Sequence, residues 1–201
     1  MLTAGIIGRT KFKIFLFFFI TGFFTDVYTQ QDNLYIPKEI QQAYENNTRS
    51  YDGTPGENYW QNTVDYNIDA EVFPELSKLE GTAKITYHNN SPDRLRKIII
   101  RNNHYGFSEG YEGMEISRLT INRSVIDLEN IQSGRTNIHV PLTEILQPES
   151  TATIGVHWSI PIKQTTANDS TSFFLTNWFP EIAVYDDIFG WDEELPQTLR
   201  A

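Results

Sequence analysis

A chain of 201 residues has room for one ordinary domain, and a 13% share of Phe, Tyr and Trp is enough to build a packed core. The formal net charge is -10, and three of the bases (Arg9, Lys11, Lys13) sit within the first 29 residues, so the body is acidic, repels phosphate backbones and argues against nucleic acid as a partner. The absence of cysteine removes disulfides, thiolate metal sites and thiol nucleophiles together.

Residues 1–29 read as a signal peptide. Arg9, Lys11 and Lys13 form a basic flank, Ile14 to Phe24 is apolar apart from Thr21 and Gly22, and Thr25-Asp26 closes the run. About eleven apolar residues suit a signal core and are too few for a stable membrane span. A secreted, periplasmic or cell-surface protein is therefore expected, with cleavage near Thr29/Gln30. Residues 30–58 are polar and punctuated by Pro37, Gly53, Pro55 and Gly56. They read as a linker that docks on the body and carries one short helix over Pro37 to Tyr44, with proline at its start and Ile40, Ala43 and Tyr44 at helical spacing.

From Tyr59 the period changes to two. Val64, Tyr66, Ile68, Ala70 and Val72 alternate with Asp65, Asn67, Asp69 and Glu71, as in a half-buried strand. Leu79, Ala83, Ile85 and Tyr87 repeat the pattern, and the proline-containing stretch Phe73 to Lys78 reads as the hairpin loop between them. Asn89 to Asp93 is a turn cluster. Lys97 to Arg101 carries three consecutive isoleucines, as in a strand covered on both faces. Further strands are expected at Ile116 to Ile121, Val125 to Leu128, Ile138 to Leu142 and Ala152 to Ile160, with a polar loop at Thr165 to Ser172. The sum is an all-β class, an antiparallel sandwich or saddle-like sheet over residues 59–201. Tyr185-Asp186-Asp187 and Gly190-Trp191 read as a loop built for a specific contact. The chain then stops without a closing strand, so the domain is expected to be incomplete, with Phe173 to Trp191 poorly covered.

The chemistry-bearing motifs are few. His88, His104, His139 and His157 are widely spaced and none is followed by Glu, so the helical zinc pattern of two His one turn apart, with a Glu beside the first, is absent. Gly106-Phe107-Ser108-Glu109-Gly110 matches the nucleophile-elbow pattern, with His139 and His157 as formal bases, but Tyr111-Glu112-Gly113 does not open the helix that the elbow requires. A glycine-rich surface loop is the better reading. The acid pairs Asp186-Asp187 and Glu193-Glu194 read as structural or peripheral rather than catalytic. Four sequons, at Asn46, Asn89, Asn122 and Asn168, matter only in a eukaryotic secretory setting.

Ile40-Gln41-Gln42-Ala43-Tyr44-Glu45, Thr48-Arg49-Ser50, Pro55-Gly56-Glu57-Asn58-Tyr59-Trp60-Gln61-Asn62, Val64-Asp65-Tyr66-Asn67-Ile68, Leu79-Glu80-Gly81 and Ile85 to Asp93 form a recognisable string. It returns at Trp178-Phe179-Pro180, Ala183 to Asp187 and Gly190-Trp191. The string is similar to the opening of a branch of secreted bacterial M1-family (aminopeptidase N-like) zinc metallopeptidases, over roughly residues 36–195. The resemblance implies a non-catalytic N-terminal β-domain that scaffolds a thermolysin-like catalytic domain in the same parent chain and walls its substrate cleft. The parent protein would remove N-terminal residues from peptide substrates. Catalytic and metal-binding residues are expected to be absent from this chain, and zinc is implied only for the catalytic domain beyond residue 201. Gly113-Met114-Glu115 resembles the family's substrate-amine motif, but a strand begins at Ile116 and the match is spurious. Where the branch carries Gln before the Trp-aromatic-Pro corner this chain has Asn177, the one candidate substrate-binding residue. The alternative is a stand-alone secreted β-sandwich binding module that makes contact through Trp178 to Trp191.

Overall fold

The computed structural model describes residues 35–102, 113–134, 136–166 and 169–194. The chain divides into two compact units, residues 1–35 and 36–201, and the architecture is that of the second. The signal-peptide reading, the elbow at Ser108, His104 and the sequon at Asn168 lie outside the described residues.

Helix α1 (Lys38–Glu45) follows Pro37, whose fixed φ suits a helix start, and it buries Ala43. Thirteen strands follow among the described residues: β1 (Thr63–Phe73), β2 (Lys78–Asn89), β3 (Leu95–Arg101), β4 (Glu115–Ile121), β5 (Ser124–Val125), β6 (Gln132–Ser133), β7 (Asn137–Leu146), β8 (Ser150–Pro161), β9 (Lys163–Thr166), β10 (Asp169–Phe174), β11 (Glu181–Ile182), β12 (Tyr185–Asp186) and β13 (Gly190–Trp191). They form a five-stranded sheet in the order β1-β2-β8-β4-β5, a four-stranded sheet β11-β3-β7-β6, and the two-stranded pairs β10-β9 and β12-β13. All pairings are antiparallel. The molecule is all-β, as its period-two sequence requires.

The two larger sheets share one core. Leu79, Ala83, Ile85 and Tyr87 of β2 face inward beside Ala152, Ile154, Val156, Trp158 and Ile160 of β8, while the alternate residues face out. Each buried Leu, Ile or Val among them contributes about 1.5–3 kcal/mol through removal from water. Ile98, Ile99 and Ile100 of β3 are all 0% exposed. Consecutive side chains point to opposite faces of a sheet, so both faces of β3 are covered. Asn89 ends β2, also fully buried. Its amide donates to the carbonyls of Asp93 (2.8 Å) and Gln147 (3.0 Å) and accepts from Ser91 Oγ (2.6 Å), which pins the crossing from the first sheet to the second.

Some expectations need correction. Val125 to Leu128 is not one strand: β5 stops at Val125, and Leu128–Asn130 forms a 3-10 turn after Asp127, whose carboxylate accepts the Glu129 N–H. The described residues of Thr165 to Ser172 are not loop, because they lie in β9 and β10, which pair antiparallel. Threonine-rich sequence is favourable for strands, but a polar hairpin lacks the apolar alternation by which strands are read. Ile138 to Leu142 is the middle of a longer strand, β7. Nor is Phe173 to Trp191 poorly covered throughout: Pro180, Ile182, Ala183 and Trp191 are buried, while Val184 and Phe189 remain exposed.

Candidate functional site

The Trp178 corner is built from β1, β2 and β8. Register places Gly81 opposite Trp158, and the indole lies so close to the glycine that a Cβ there would sit 2.4 Å from Trp158 Cζ2. Only glycine leaves room for it. The same indole donates its N–H to the Trp178 carbonyl at 2.8 Å. Phe179 meets Trp178 and Tyr66 edge-on, with ring centroids 5.2 and 5.6 Å away, and the Tyr66 hydroxyl accepts the Ile182 N–H at 2.8 Å. Burial pushes the Tyr66 phenol above its ordinary pKa. Asn177 precedes this corner, half-buried, with φ +48°. Asparagine is among the few residues that adopt this left-handed conformation readily, which supplies a local reason for its presence.

A second cluster joins the N-terminal segment to the β12-β13 hairpin. Arg49 donates from Nε to both oxygens of Asp187 (3.1 Å each) and from a terminal nitrogen to Oδ1 (2.6 Å), while Thr48 Oγ1 donates to Oδ2. The Arg49 hydrogen bonds hold the Asp187 carboxyl below the usual range. Asp186 Oδ1 accepts the N–H groups of Ile188 (2.9 Å) and Phe189 (2.7 Å) and so shapes the hairpin turn. Asp187 thus ties the hairpin to the segment before β1, and Asp186 holds the turn itself. Around them Trp60 stacks on Tyr185 (5.9 Å), and Trp191 packs against Tyr185 (5.2 Å) and Tyr87 (5.8 Å). The Tyr185 hydroxyl donates to Asp93 Oδ2 at 2.8 Å, and Asn62 Nδ2 donates to the Tyr87 hydroxyl at 2.7 Å. Burial pushes the Tyr87 phenol up to about 12. The Tyr185 phenol also rises, through burial first and then its carboxylate partner.

The segment after Trp191 runs along β3 and β7. Arg101, nearly buried, donates to Asn137 Oδ1 (2.6 Å) and the Glu194 carbonyl (2.9 Å) and pairs with Asp192 (2.8 Å). Asn137 Nδ2 donates to the Glu193 carbonyl (2.9 Å), and Lys97 pairs with the Glu193 carboxylate (2.7 Å), holding that carboxyl low. His139 lies beside Lys97, with 3.3 Å between Nδ1 and Nζ.

The outer face of the larger sheet forms an open groove of about 550 Å³, lined by Asp69 and Glu71 of β1, Lys78 and Glu80 of β2, Glu115 of β4 and His157 of β8. Lys78 already pairs with Glu80 at 2.7 Å. His157 is exposed there, far in register from His88, which pairs with Asp65 at 2.9 Å. Among the described residues no group of three His, Cys, Asp or Glu side chains is placed to hold a metal ion. None of the described helices is long and apolar enough to cross a membrane. Sequence reasoning missed the Arg49–Asp187 and Asn62–Tyr87 pairs, whose partners lie far apart in the chain with no periodic signal to link them.

No family profile and no curated protein matches the chain. Among solved structures, it is similar to the M1 zinc metallopeptidase from Deinococcus radiodurans, at 16% identity over 55% of this chain and 23% of that one, with a TM-score of 0.39. A variant of that enzyme bound to a Tyr-Ser-Ala substrate gives 15% identity over 58% and 24%, again with a TM-score of 0.39. A two-domain M1 zinc metallopeptidase variant bound to L-arginine gives 15% over 57% and 24% at the same TM-score. The chain thus aligns with about a quarter of the length of these enzymes.

Proposed function

We propose that this chain is the non-catalytic N-terminal β-domain of a secreted or periplasmic M1-like zinc aminopeptidase. In this reading it scaffolds the catalytic domain of the same parent protein and forms one wall of the cleft that holds the peptide substrate. One observation carries the reading. The fold links the scattered segments that resemble M1 peptidases: Leu79-Glu80-Gly81 meets Trp178-Phe179-Pro180 through Trp158, Arg49 and Trp60 meet Asp187 and Tyr185 directly, and Asn62 reaches Trp191 through Tyr87. Asn177, held in a left-handed turn beside the first cluster, is the residue whose amide would reach the substrate side.

The zinc of such an enzyme does not fit the described residues of this chain, which gather no set of three ligands. Metal and water-activating Glu belong in this reading to the catalytic domain. The test is to follow the genomic DNA past the Ala201 codon in all three frames and to assay the purified chain on aminoacyl-coumarin substrates. A His-Glu-x-x-His segment in frame or one base out, with no activity from the chain itself, is the expected result. Chelator-sensitive peptidase activity in the chain alone, or an unrelated gene downstream, overturns the reading. The second of those outcomes favours a stand-alone binding module.

A further inference from the structure

β1 lies at one margin of the larger sheet. β2 pairs with one of its edges through all 11 residues, from Thr63↔His88 to Phe73↔Lys78, and among the described residues no strand pairs with the other. Alternate residues of such an edge turn their N–H and C=O groups outward, a template for another strand. Folded proteins usually blunt long edges with a bulge, a proline, charged side chains or a cover, and of these devices β1 itself carries only charge, in Asp65, Asp69 and Glu71. The β1 register runs without a shift, whereas β3-β7, β4-β8 and β9-β10 each contain one, and β1 holds neither proline nor lysine.

Its two faces are chemically distinct. The inner row, Val64, Tyr66, Ile68, Ala70 and Val72, is patterned for burial, yet Tyr66 and Val72 are 37% and 38% exposed while the neighbouring inner row of β2 is buried. The outer row is acidic. Asp69 and Glu71 have no ion-pair partner among the described residues, and Glu71 stands directly across from Glu80. Like charges opposite one another destabilise a strand pair. A second β1 laid antiparallel about Asn67 would set Asp65 against Asp69 and be repelled, whereas a strand with cations on that face would be matched.

We propose that the open edge of β1 takes up an extended polypeptide strand, in which apolar residues alternate with lysine or arginine, and that this strand extends the larger sheet. Backbone hydrogen bonds supply the attachment, the acidic row selects the partner's cations, and the exposed half of the apolar row receives its other face. This inference does not rest on the enzyme reading above. It concerns an edge remote in sequence from Asn177 and holds for a stand-alone module equally.

The test uses the 201-residue chain and a fluorescent peptide of alternating valine and lysine long enough to span Thr63–Phe73. Controls are the same peptide N-methylated along its backbone and a valine–glutamate peptide. Anisotropy is expected to show binding of the first peptide only, weakened roughly tenfold or more by Asp69→Lys combined with Glu71→Lys. Amide hydrogen exchange is expected to slow along β1. Equal binding of the methylated peptide would reduce the effect to nonspecific charge attraction and overturn the proposal. So would no binding, protection confined to other strands, or a concentration-dependent dimer protected at β1, which would make a second copy the occupant. Both substituted side chains are exposed, and an unchanged circular dichroism spectrum confirms that the double variant is folded.

Discussion

Replacing Gly81 by alanine puts a methyl carbon 2.4 Å from Cζ2, 2.6 Å from Cη2 and 2.8 Å from Cε2 of Trp158. The indole cannot yield at its tip as a lysine would, because it is rigid, 2% exposed and tied by its N–H to the Trp178 carbonyl. Overpacking of this kind costs about 1–3 kcal/mol. If the ring swings out, the lost hydrogen bond adds about 0.5–1.5 kcal/mol. The expected destabilisation is about 2–4 kcal/mol, a fall in Tm of about 4–16 °C for a domain of this size. Urea unfolding followed by tryptophan fluorescence measures it. Trp158→Phe removes both the clashing ring and the hydrogen bond, so alanine at 81 should cost little in that background, and the coupling between the two sites should approach the full penalty, about 1.5–3 kcal/mol. A Gly81→Ala variant within about 0.5 kcal/mol of the parent, or strict additivity with Trp158→Phe, would refute the packing argument.

Asp187→Asn should cost about 1–2 kcal/mol at neutral pH, discounted because Arg49 is partly exposed, and should speed proteolysis of the segment before β1. Its carboxyl is held below the ordinary range, so its stabilisation is present above the unfolded-state pKa and fades as pH falls through the lower folded one. Parent and variant should therefore converge in acid, as thermal melts across pH would show. Tyr87 and Tyr185 are both raised above the ordinary value of 10.0. Their contribution is complete below that value and declines as pH climbs through the folded ones, so alkaline unfolding should set in above about pH 10 and move in Tyr185→Phe, as ultraviolet tyrosinate titration would reveal. Asn177→Gly should be nearly neutral, and Asn177→Val should lose about 1–2 kcal/mol, since a β-branched residue resists a left-handed turn. Equal denaturation midpoints for those two variants would count against that backbone role.

Much of the architecture was legible because its signals are local. Alternation located β1, β2 and β8, the three isoleucines announced a strand covered on both faces, and proline set the start of α1. The polar β9-β10 hairpin escaped because threonine-rich strands without an apolar face carry no period to read. β1 shows the opposite limit: its pattern revealed a strand but not that its apolar row would be left half-open, since burial depends on what lies across from it. The candidate site was legible only as separate words. Nothing in Arg49 announces Asp187, and the need for Gly81 emerges only once Trp158 is seen beside it. Asn177 stood out through family resemblance alone, and its left-handed turn carried no signal beyond the residue type itself.

The buried amide of Asn89 has a practical consequence for anyone producing this protein. Asn89-Asn90-Ser91 is an acceptor sequence for oligosaccharyltransferase, which acts on nascent chains before they fold. A sugar attached there could not be accommodated, because the nitrogen that would carry it is enclosed and donates to Asp93 and Gln147. Yeast or insect secretion would thus divert occupied chains toward quality control, and removing the sequon through Ser91→Ala would also delete the hydroxyl that satisfies Asn89 Oδ1. Bacterial expression avoids the conflict, whereas proline at position 90, which would break the sequon while sparing the serine, would delete the N–H that donates to Asn62 Oδ1 at 2.7 Å.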